Sequence, residues 1–432
     1  MQLSSDLRSR IQQSAQTHGF ALCDIAAVPA PGTPEDTAER AYFAEWIAQG
    51  RSGEMGYLAR ADEQGTLLRS SLRVALPWAE SVIVCAVDYS ATAPFSIDPA
   101  PANAGWIARY AWSGDAASSQ SGGATRGEEH VLPPTDYHDV ILKNLRTVEA
   151  ALLEHCSEEE IQTRCYVDTG PIVERTFARY AGIGWVGKNA CILNQQRGSW
   201  LFLGVIVTSL RLPQELTVVA AADRCGSCTR CIDACPTDAL VAPRQMDASL
   251  CIAYLTIEKK GSIAEELRPL MGRQVFGCDI CQDVCPWNQK QVISRDNVAS
   301  KSSTSPEDAV DITVENIDTV ILREAKNLTK PVAPQIPKAV ALHAPAEMQP
   351  RSELINPSLH WLAALDNPAF KKLFRGSPLE RTKLKGLRRN VAIAMANSGD
   401  ASYLPQLEQW SQSEDEILRE TATWAMARLG MN

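Results

Sequence analysis

The sequence predicts an α/β (α+β) amino-terminal domain, a small cysteine-rich module and an all-α carboxy-terminal domain. Three observations predict this order. Helical spacing of apolar residues over 3–23 gives way to the unbroken apolar run Val82–Val87, as a helix followed by a buried strand would. Eight of the 13 cysteines fall between Cys225 and Cys285. Near the end of the chain, Leu387–Asn397 and Ile417–Leu429 are alanine-rich amphipathic helices separated by Gly399-Asp400 and a further helix, Tyr403–Trp410, which reads as stacked helical hairpins.

A chain of 432 residues is long enough for two to four domains and a sizeable core. With 45% hydrophobic and 22% charged residues it has the composition of a globular protein and not of a disordered chain. Met1–Cys23 mixes Asp6, Arg8 and Arg10 with apolar residues and lacks the apolar core of a signal peptide. No apolar run reaches the roughly 18–20 residues of a membrane span. The expectation is a cytoplasmic protein with no membrane partner, in which thiols stay reduced and serve as metal ligands rather than disulfides. A net charge of −9 gives no global attraction to nucleic acid, so an RNA partner would need a local basic surface.

Along the first domain, 1–213, helical periodicity resumes over Tyr137–His155 through Val140, Leu142, Leu145, Val148 and Leu152. The stretch around 113–135 is rich in Ser, Gly and Ala without periodicity and reads as a flexible insertion. Tyr166-Val167 leads into Asp168-Thr169-Gly170-Pro171, a strand, turn and helix signature, and Leu201–Leu210 is a second buried strand. The cysteine module spans 214–290. Repeated Pro, Ser, Thr and Ala mark 291–350 as a linker, and the helical domain takes 351–432.

Cys225, Cys228, Cys231 and Cys235-Pro236 keep the spacing CxxCxxCxxxCP of a bacterial ferredoxin, in which three thiolates hold one 4Fe-4S cluster and the fourth crosses to a second. Cys278, Cys281 and Cys285-Pro286 form a degenerate second run, with Cys251 upstream as the displaced ligand. The crossed arrangement assigns Cys225, Cys228, Cys231 and Cys285 to one cluster and Cys235, Cys251, Cys278 and Cys281 to the other, in a ferredoxin-like two-cluster module. A zinc-ribbon pair is the alternative, but zinc has no use for the third cysteine or the Cys-Pro ending. Cys23, Cys85, Cys156, Cys165 and Cys191 read as small apolar core residues.

Two clusters relay electrons without naming the reaction. The stretch from Asp168 to Leu203 is dense in glycine (Gly182, Gly184, Gly187, Gly198), which would let backbone approach a large ligand, with Asp168, Lys188 and Asn189 supplying polar groups. The runs VDTGPIVER, AGIGWVGKN, CGSCTRCIDACPTDAL, CIAYLTIE, LRPLMG and FGCDICQDVCPWN, together with ARYAW and DYH, resemble the epoxyqueuosine reductases over most of residues 1–290. The resemblance implies a cobalamin-binding α/β domain, the two-cluster module and HEAT-like helices. It implies reduction of the epoxide of epoxyqueuosine at the wobble position of a tRNA, by a monomer fed by an external electron donor.

By the same resemblance Asp168 is the proton donor, and Arg69, Ala108, Asn189, Ile192, Leu203, Ile206 and the pair Cys278-Asp279 lie near the corrin. Ala108 stands where some family members carry a cysteine, so no protein thiolate is expected on cobalt from that position. An aspartate before Thr-Gly is also an ordinary helix N-cap. To carry a proton near neutrality, Asp168 would need its pKa raised by burial beside the corrin, with Lys188 or Arg175 opposing if either points inward. Between Lys371 and Arg389, eight basic residues face a single acid, Glu380, which suits a tRNA backbone or a merely solvated face. A reductive dehalogenase, which pairs cobalamin with two cubanes, and a non-enzymatic electron-transfer subunit are the rival readings.

Overall fold

The computed structural model describes residues 3–91, 94–119, 132–156, 160–289 and 344–430. Most of the insertion expected around 113–135 and most of the linker expected over 291–350 lie outside the described residues. Their flanks meet, because Gln349–Pro350 pairs antiparallel with Ser113–Gly114.

The first domain is built on a four-stranded sheet in the order Leu22–Ala27, Ser81–Asp88, Leu201–Thr208, Thr163–Tyr166, with every pairing antiparallel. Both apolar runs singled out in the sequence are its two central strands. Continuous apolarity rather than alternation follows from burial on both faces. Ile83, Cys85 and Val87 meet the helices Ser5–Thr17 and Tyr137–His155 on one face, while Val82, Val84 and Ala86 meet Phe177 and Ala178 of the helix Glu174–Tyr180 on the other. Tyr137, Ile141, Leu145, Val148 and Leu152 recur at helical spacing and make the buried stripe of the longer helix. That helix lies so close to the sheet that a Cβ at Gly204 would come within 2.8 Å of Ile141 and Leu145.

The cysteine module follows as short helices and turns, and its strand Gln274–Phe276 pairs parallel with Trp106–Ile107 of the first domain. Five helices, Leu359–Ala363, Asn367–Phe374, Lys383–Ser398, Leu404–Ser411 and Glu416–Gly430, form the end of the described chain. Gly399 ends the third of them in the left-handed conformation that a glycine cap adopts without a Cβ penalty. These helices share one core with Trp106, Ile107, Trp112, Val275 and Phe276, so the carboxy-terminal region is packed onto both earlier parts. Arg389 and Asn390 make that junction specific. The buried Arg389 guanidinium donates to the carbonyls of Leu255, Lys259 and Gly261 at 2.7 Å, and Asn390 donates to those of Thr256 and Val275. Among the described residues no helix is long and apolar enough to cross a membrane.

Candidate active site

A cavity of about 420 Å³ opens at the end of the central strands. Tyr42, Phe43, Trp46, Ile172, Ile192 and Leu203 give it broad apolar walls, and Arg69, Asp168, Glu174, Arg175 and Arg244 supply charge. A neighbouring cavity of about 550 Å³ shares Tyr42, Phe43, Arg69 and Val173 with it.

Asp168 sits in the turn between the strand Thr163–Tyr166 and the helix Glu174–Tyr180, with φ of 56°. Left-handed backbone is uncommon outside glycine, tolerated by Asp, and concentrated at functional sites. The capping alternative does not hold, since the residue at the N-cap is Val173 and no side chain caps that helix. The Asp168 side chain is 64% exposed. The Tyr137 hydroxyl donates to its Oδ2 at 3.3 Å, and His138 Nε2 lies 3.6 Å from the same oxygen. Nδ1 of His138 is 2.6 Å from Oδ1 of Asp136, the residue that also caps the helix bearing both. Arg381 arrives from the carboxy-terminal region, with Nη2 at 2.8 and 3.0 Å from the two ring nitrogens and 3.8 Å from Asp136.

These contacts act against the raised pKa that a corrin beside Asp168 would have to produce. The polar contact with His138 holds its carboxyl below the ordinary value, and the charges of His138 and Arg381 and the Tyr137 hydroxyl add to this against the cost of desolvation. The opposing cations are neither of the two anticipated. Lys188 donates to the carbonyls of Gly226 and Cys228, and Arg175 to that of Ala190. Burial alone would lower the His138 pKa, but its hydrogen bonds to Asp136 and Asp168 outweigh this and raise it. Glu174 behaves oppositely to Asp168: burial, with the charge of Asp168 added, pushes it up to about 7, and its Oε1 is buried without a hydrogen-bond partner.

The opposite side of the cavity is thiol-bearing. Cys191 and Gln282 line it, and Cys191 shares a hydrogen bond with Cys281. Asn189 donates from Nδ2 to the Cys281 carbonyl at 3.2 Å and accepts from the Cys191 backbone. The cysteines gather in two sets. Cys231 is pushed up to about 11 by burial, with Cys225 and Cys228 as charged neighbours, and Cys285 likewise to about 11, with Cys231 and Cys225. Cys278 is raised further by burial with Cys251 and Cys235 beside it, and Cys281 has Cys191, Cys278 and Cys251 as neighbours.

Of the residues expected around a corrin, Arg69, Asp168, Ile192 and Leu203 line the cavity. Ile206 does not. Strand alternation turns it to the other face of the sheet, into the core with Cys85 and Ile141. Ala108 is buried under Gly277, where a Cβ would come within 2.5 Å of it. Asp279 accepts from Trp106 Nε1 and from the Arg109 backbone, so it joins the first domain to the cysteine module beside Cys278. Asn189 faces the second cysteine run. The glycines expected to admit a ligand admit protein instead: a Cβ at Gly184 would lie 2.3 Å from the Leu193 carbonyl oxygen, and one at Gly198 2.1 Å from Asn288 Oδ1. Sequence reasoning passed over Tyr137, His138, Glu174 and Arg381 as site residues, and it read Cys191 as a small apolar core residue, whereas Cys191 lines the cavity beside Cys281. Asp136-Tyr137-His138 carried a usable signal, a cap residue two positions before a histidine at a helix start, whereas Arg381 is 243 residues from its partner and gave none.

An acid network and a paired set of thiols on two sides of one apolar cavity define a redox enzyme of the iron-sulfur class. The family model for a 4Fe-4S double cluster binding domain matches residues 224–288, and that for epoxyqueuosine reductase QueG, DUF1730, matches 69–118. The epoxyqueuosine reductase of Shewanella oneidensis is 32% identical over 434 residues, covering 98% of this chain and 88% of its own, and that of Escherichia coli K12 is 32% identical over 89% of this chain and 80% of its own. A crystal structure of an epoxyqueuosine reductase with a tRNA-Tyr epoxyqueuosine-modified stem loop superposes with a TM-score of 0.71 at 26% identity, covering 98% of this chain and 90% of that one. The chain belongs to the epoxyqueuosine reductase family and is an oxidoreductase.

Proposed function

We propose that the protein reduces the epoxide of epoxyqueuosine at the wobble position of a tRNA, with cobalamin held in the cavity between Asp168 and the thiols. The observation that carries this reading is the cavity itself: apolar walls suited to a corrin, an acid on one side and a thiol next to Cys281 on the other. Tyr42, Phe43, Trp46, Ile172, Ile192 and Leu203 would pack the macrocycle, Arg69 would meet its polar side chains, and the buried, unpartnered Glu174 Oε1 offers a hydrogen-bonding group to it. When bound, cobalamin would supply a cobalt centre able to deliver electrons to the epoxide, and two 4Fe-4S clusters would supply those electrons singly.

The gathering of thiols supports Cys225, Cys228, Cys231 and Cys285 as ligands of one cluster and Cys235, Cys251, Cys278 and Cys281 as ligands of the other, the latter on the cavity side. Asp168 delivers a proton to the epoxide oxygen, and its turn places the carboxylate on the open side of the cavity, where a wobble nucleoside would enter. The protein acts in the cytoplasm as a monomer, on a tRNA and with an external electron donor. The test is anaerobic reconstitution with iron, sulfide and cobalamin, followed by nucleoside mass spectrometry of a tRNA carrying epoxyqueuosine. Conversion to queuosine with about eight irons per chain is expected for two cubanes. An unchanged nucleoside in the fully loaded protein would refute the reading.

A further inference from the structure

Removing an epoxide oxygen as water takes two electrons and two protons: both carbon-oxygen bonds break and both O–H bonds of water form. Resting on the reaction proposed above, the chain must therefore hold a proton where the first carbon-oxygen bond opens, and Asp168 is placed there but kept ionised by its neighbours.

We propose that His138 holds this first proton, between Asp136 and Asp168, and that Asp168 carries it from His138 Nε2 to the epoxide oxygen. The geometry separates a fixed donor from a moving carrier. His138 is clamped, with Nδ1 2.6 Å from Asp136, the Tyr137 ring 3.9 Å from its own, and Arg381 against it. Since Nη2 of Arg381 is nearly equidistant from both ring nitrogens, at 2.8 and 3.0 Å, it lies across the ring and leaves the in-plane positions to the two carboxylates. Asp168 is held only at 3.3 and 3.6 Å, is 64% exposed, and rides on a turn. It can take a proton from Nε2 and turn toward the cavity with little to break.

In the step, the proton leaves His138 Nε2 for Asp168 Oδ2 and passes to the epoxide oxygen, which becomes a hydroxyl. His138 is left neutral and Asp168 ionised, while the electrons come from the external donor through the clusters. As the second carbon-oxygen bond breaks and the alkene forms, a second proton, taken from solvent, releases the hydroxyl as water. Arg381 is a positioning residue, holding the ring plane and, by its charge, easing proton departure.

The charged and titratable groups around the pair come from several elements. Asp136 and Tyr137 share the His138 helix, Asp168 and Glu174 belong to the turn and its helix, and Arg381 comes from the carboxy-terminal region. Tyr57 and Tyr110, both raised by burial and by the charge of Asp168, complete the set together with Arg69. The two aspartates favour the His138 proton and Arg381 opposes it, so the proton should stay on above the ordinary histidine pKa of about 6.5.

The experiment is a histidine-labelled NMR titration of the oxidised holoprotein, with His138→Gln identifying the signal, paired with single-turnover epoxide reduction against pH. Expected are a His138 pKa above about 6.5 that falls in both Asp168→Asn and Asp136→Asn, and a rate in His138→Gln lowered about 100-fold with its pH limb lost, iron and tRNA binding unchanged. Arg381→Met should alter the pH profile and leave iron content alone. A His138 signal indifferent to Asp168→Asn, or a His138→Gln enzyme at the parental rate, would overturn the proposal. So would a limb that persists in His138→Gln and disappears in Glu174→Gln. If the parental enzyme reduces no epoxide, the proposed function fails, while the titration still decides where the proton sits.

Discussion

The two sides of the cavity solve opposite electrostatic problems. On the acid side, charges are left partly open to solvent and set against each other, so Asp136 and Asp168 are held low and His138 is held high. On the thiol side burial drives Cys278, and the hydrogen bond with Cys191 together with burial drives Cys281, well above the ordinary thiol range until something positive takes the place of their protons. In the proposed reaction one side exchanges a proton with a substrate that comes and goes. The other gains its stability only with metal bound, as thiolate sites generally do.

This contrast predicts which substitutions separate iron from chemistry. Cys278→Ser should have the largest effect, abolishing turnover and removing about half of the iron, while Cys225→Ser removes the other half and leaves the cavity-side cluster. Iron and sulfide analysis with electron paramagnetic resonance checks both, and full retention of iron in either variant would break the division of the thiols into two sets. Asp168→Asn comes next: about 100-fold or more off the rate of epoxide reduction, with all iron, corrin and tRNA binding kept. Parental turnover in that variant would remove Asp168 from the chemistry, and loss of corrin would make it a structural residue.

How much of this was legible in the sequence differs between the same two sides. The thiol side was readable because ligand spacing is local: CxxC places two ligands within a turn, and Cys-Pro ends each run. The central strands were readable because Val82–Val87 is apolar throughout and Leu201–Val207 has no polar side chain. The acid side was readable only at Asp168. Its charge state depends on His138, 30 residues away, and on Arg381, more than 200 residues away, and spacing carries no information about such partners. Ile206 failed for a simpler reason, that a strand sends residues three apart to opposite faces.

Glu174 sharpens the comparison, since it is a carboxyl on the acid side governed by burial as the thiols are. A folded-state pKa of about 7 lies above the ordinary glutamate value, so the folded protein binds the extra proton. The stabilisation is fully present below the unfolded value of about 4.3 and is lost as pH rises through about 7. Glu174→Gln should therefore flatten the stability profile between about pH 4.3 and 7 and raise stability at pH 8, by roughly 4 kcal/mol at most at about 1.36 kcal/mol per pH unit. Thermal melts at pH 5 and pH 8 measure it. A parental protein as stable at pH 8 as at pH 5, with no gain in the variant, would place Glu174 with the solvent-balanced charges instead.

The smallest effect expected is at the basic segment 371–389, whose residues the fold divides among three tasks. Arg381 serves the acid side, and Arg389 is buried against the cysteine module, which withdraws it from the RNA-facing role expected of it. Arg388 donates to the Leu365 carbonyl. Lys371, Lys372, Arg375 and Lys383 remain exposed, and Lys385, 58% exposed, is paired with Asp415. A tRNA backbone can be met only by the exposed members, each of which releases about one counterion when it neutralises a phosphate. Lys371→Ala with Lys372→Ala should weaken tRNA binding several-fold and reduce the slope of log affinity against log salt by up to roughly 2, with melting temperature and iron unchanged. Arg389→Ala should do the reverse, leaving three buried carbonyls unpaired at a cost of about 2–4 kcal/mol and altering tRNA binding only through lost stability. An unchanged salt slope in the double-lysine variant would return those two lysines to a solvated face and leave Arg375 and Lys383 as the exposed cations of the segment to test next.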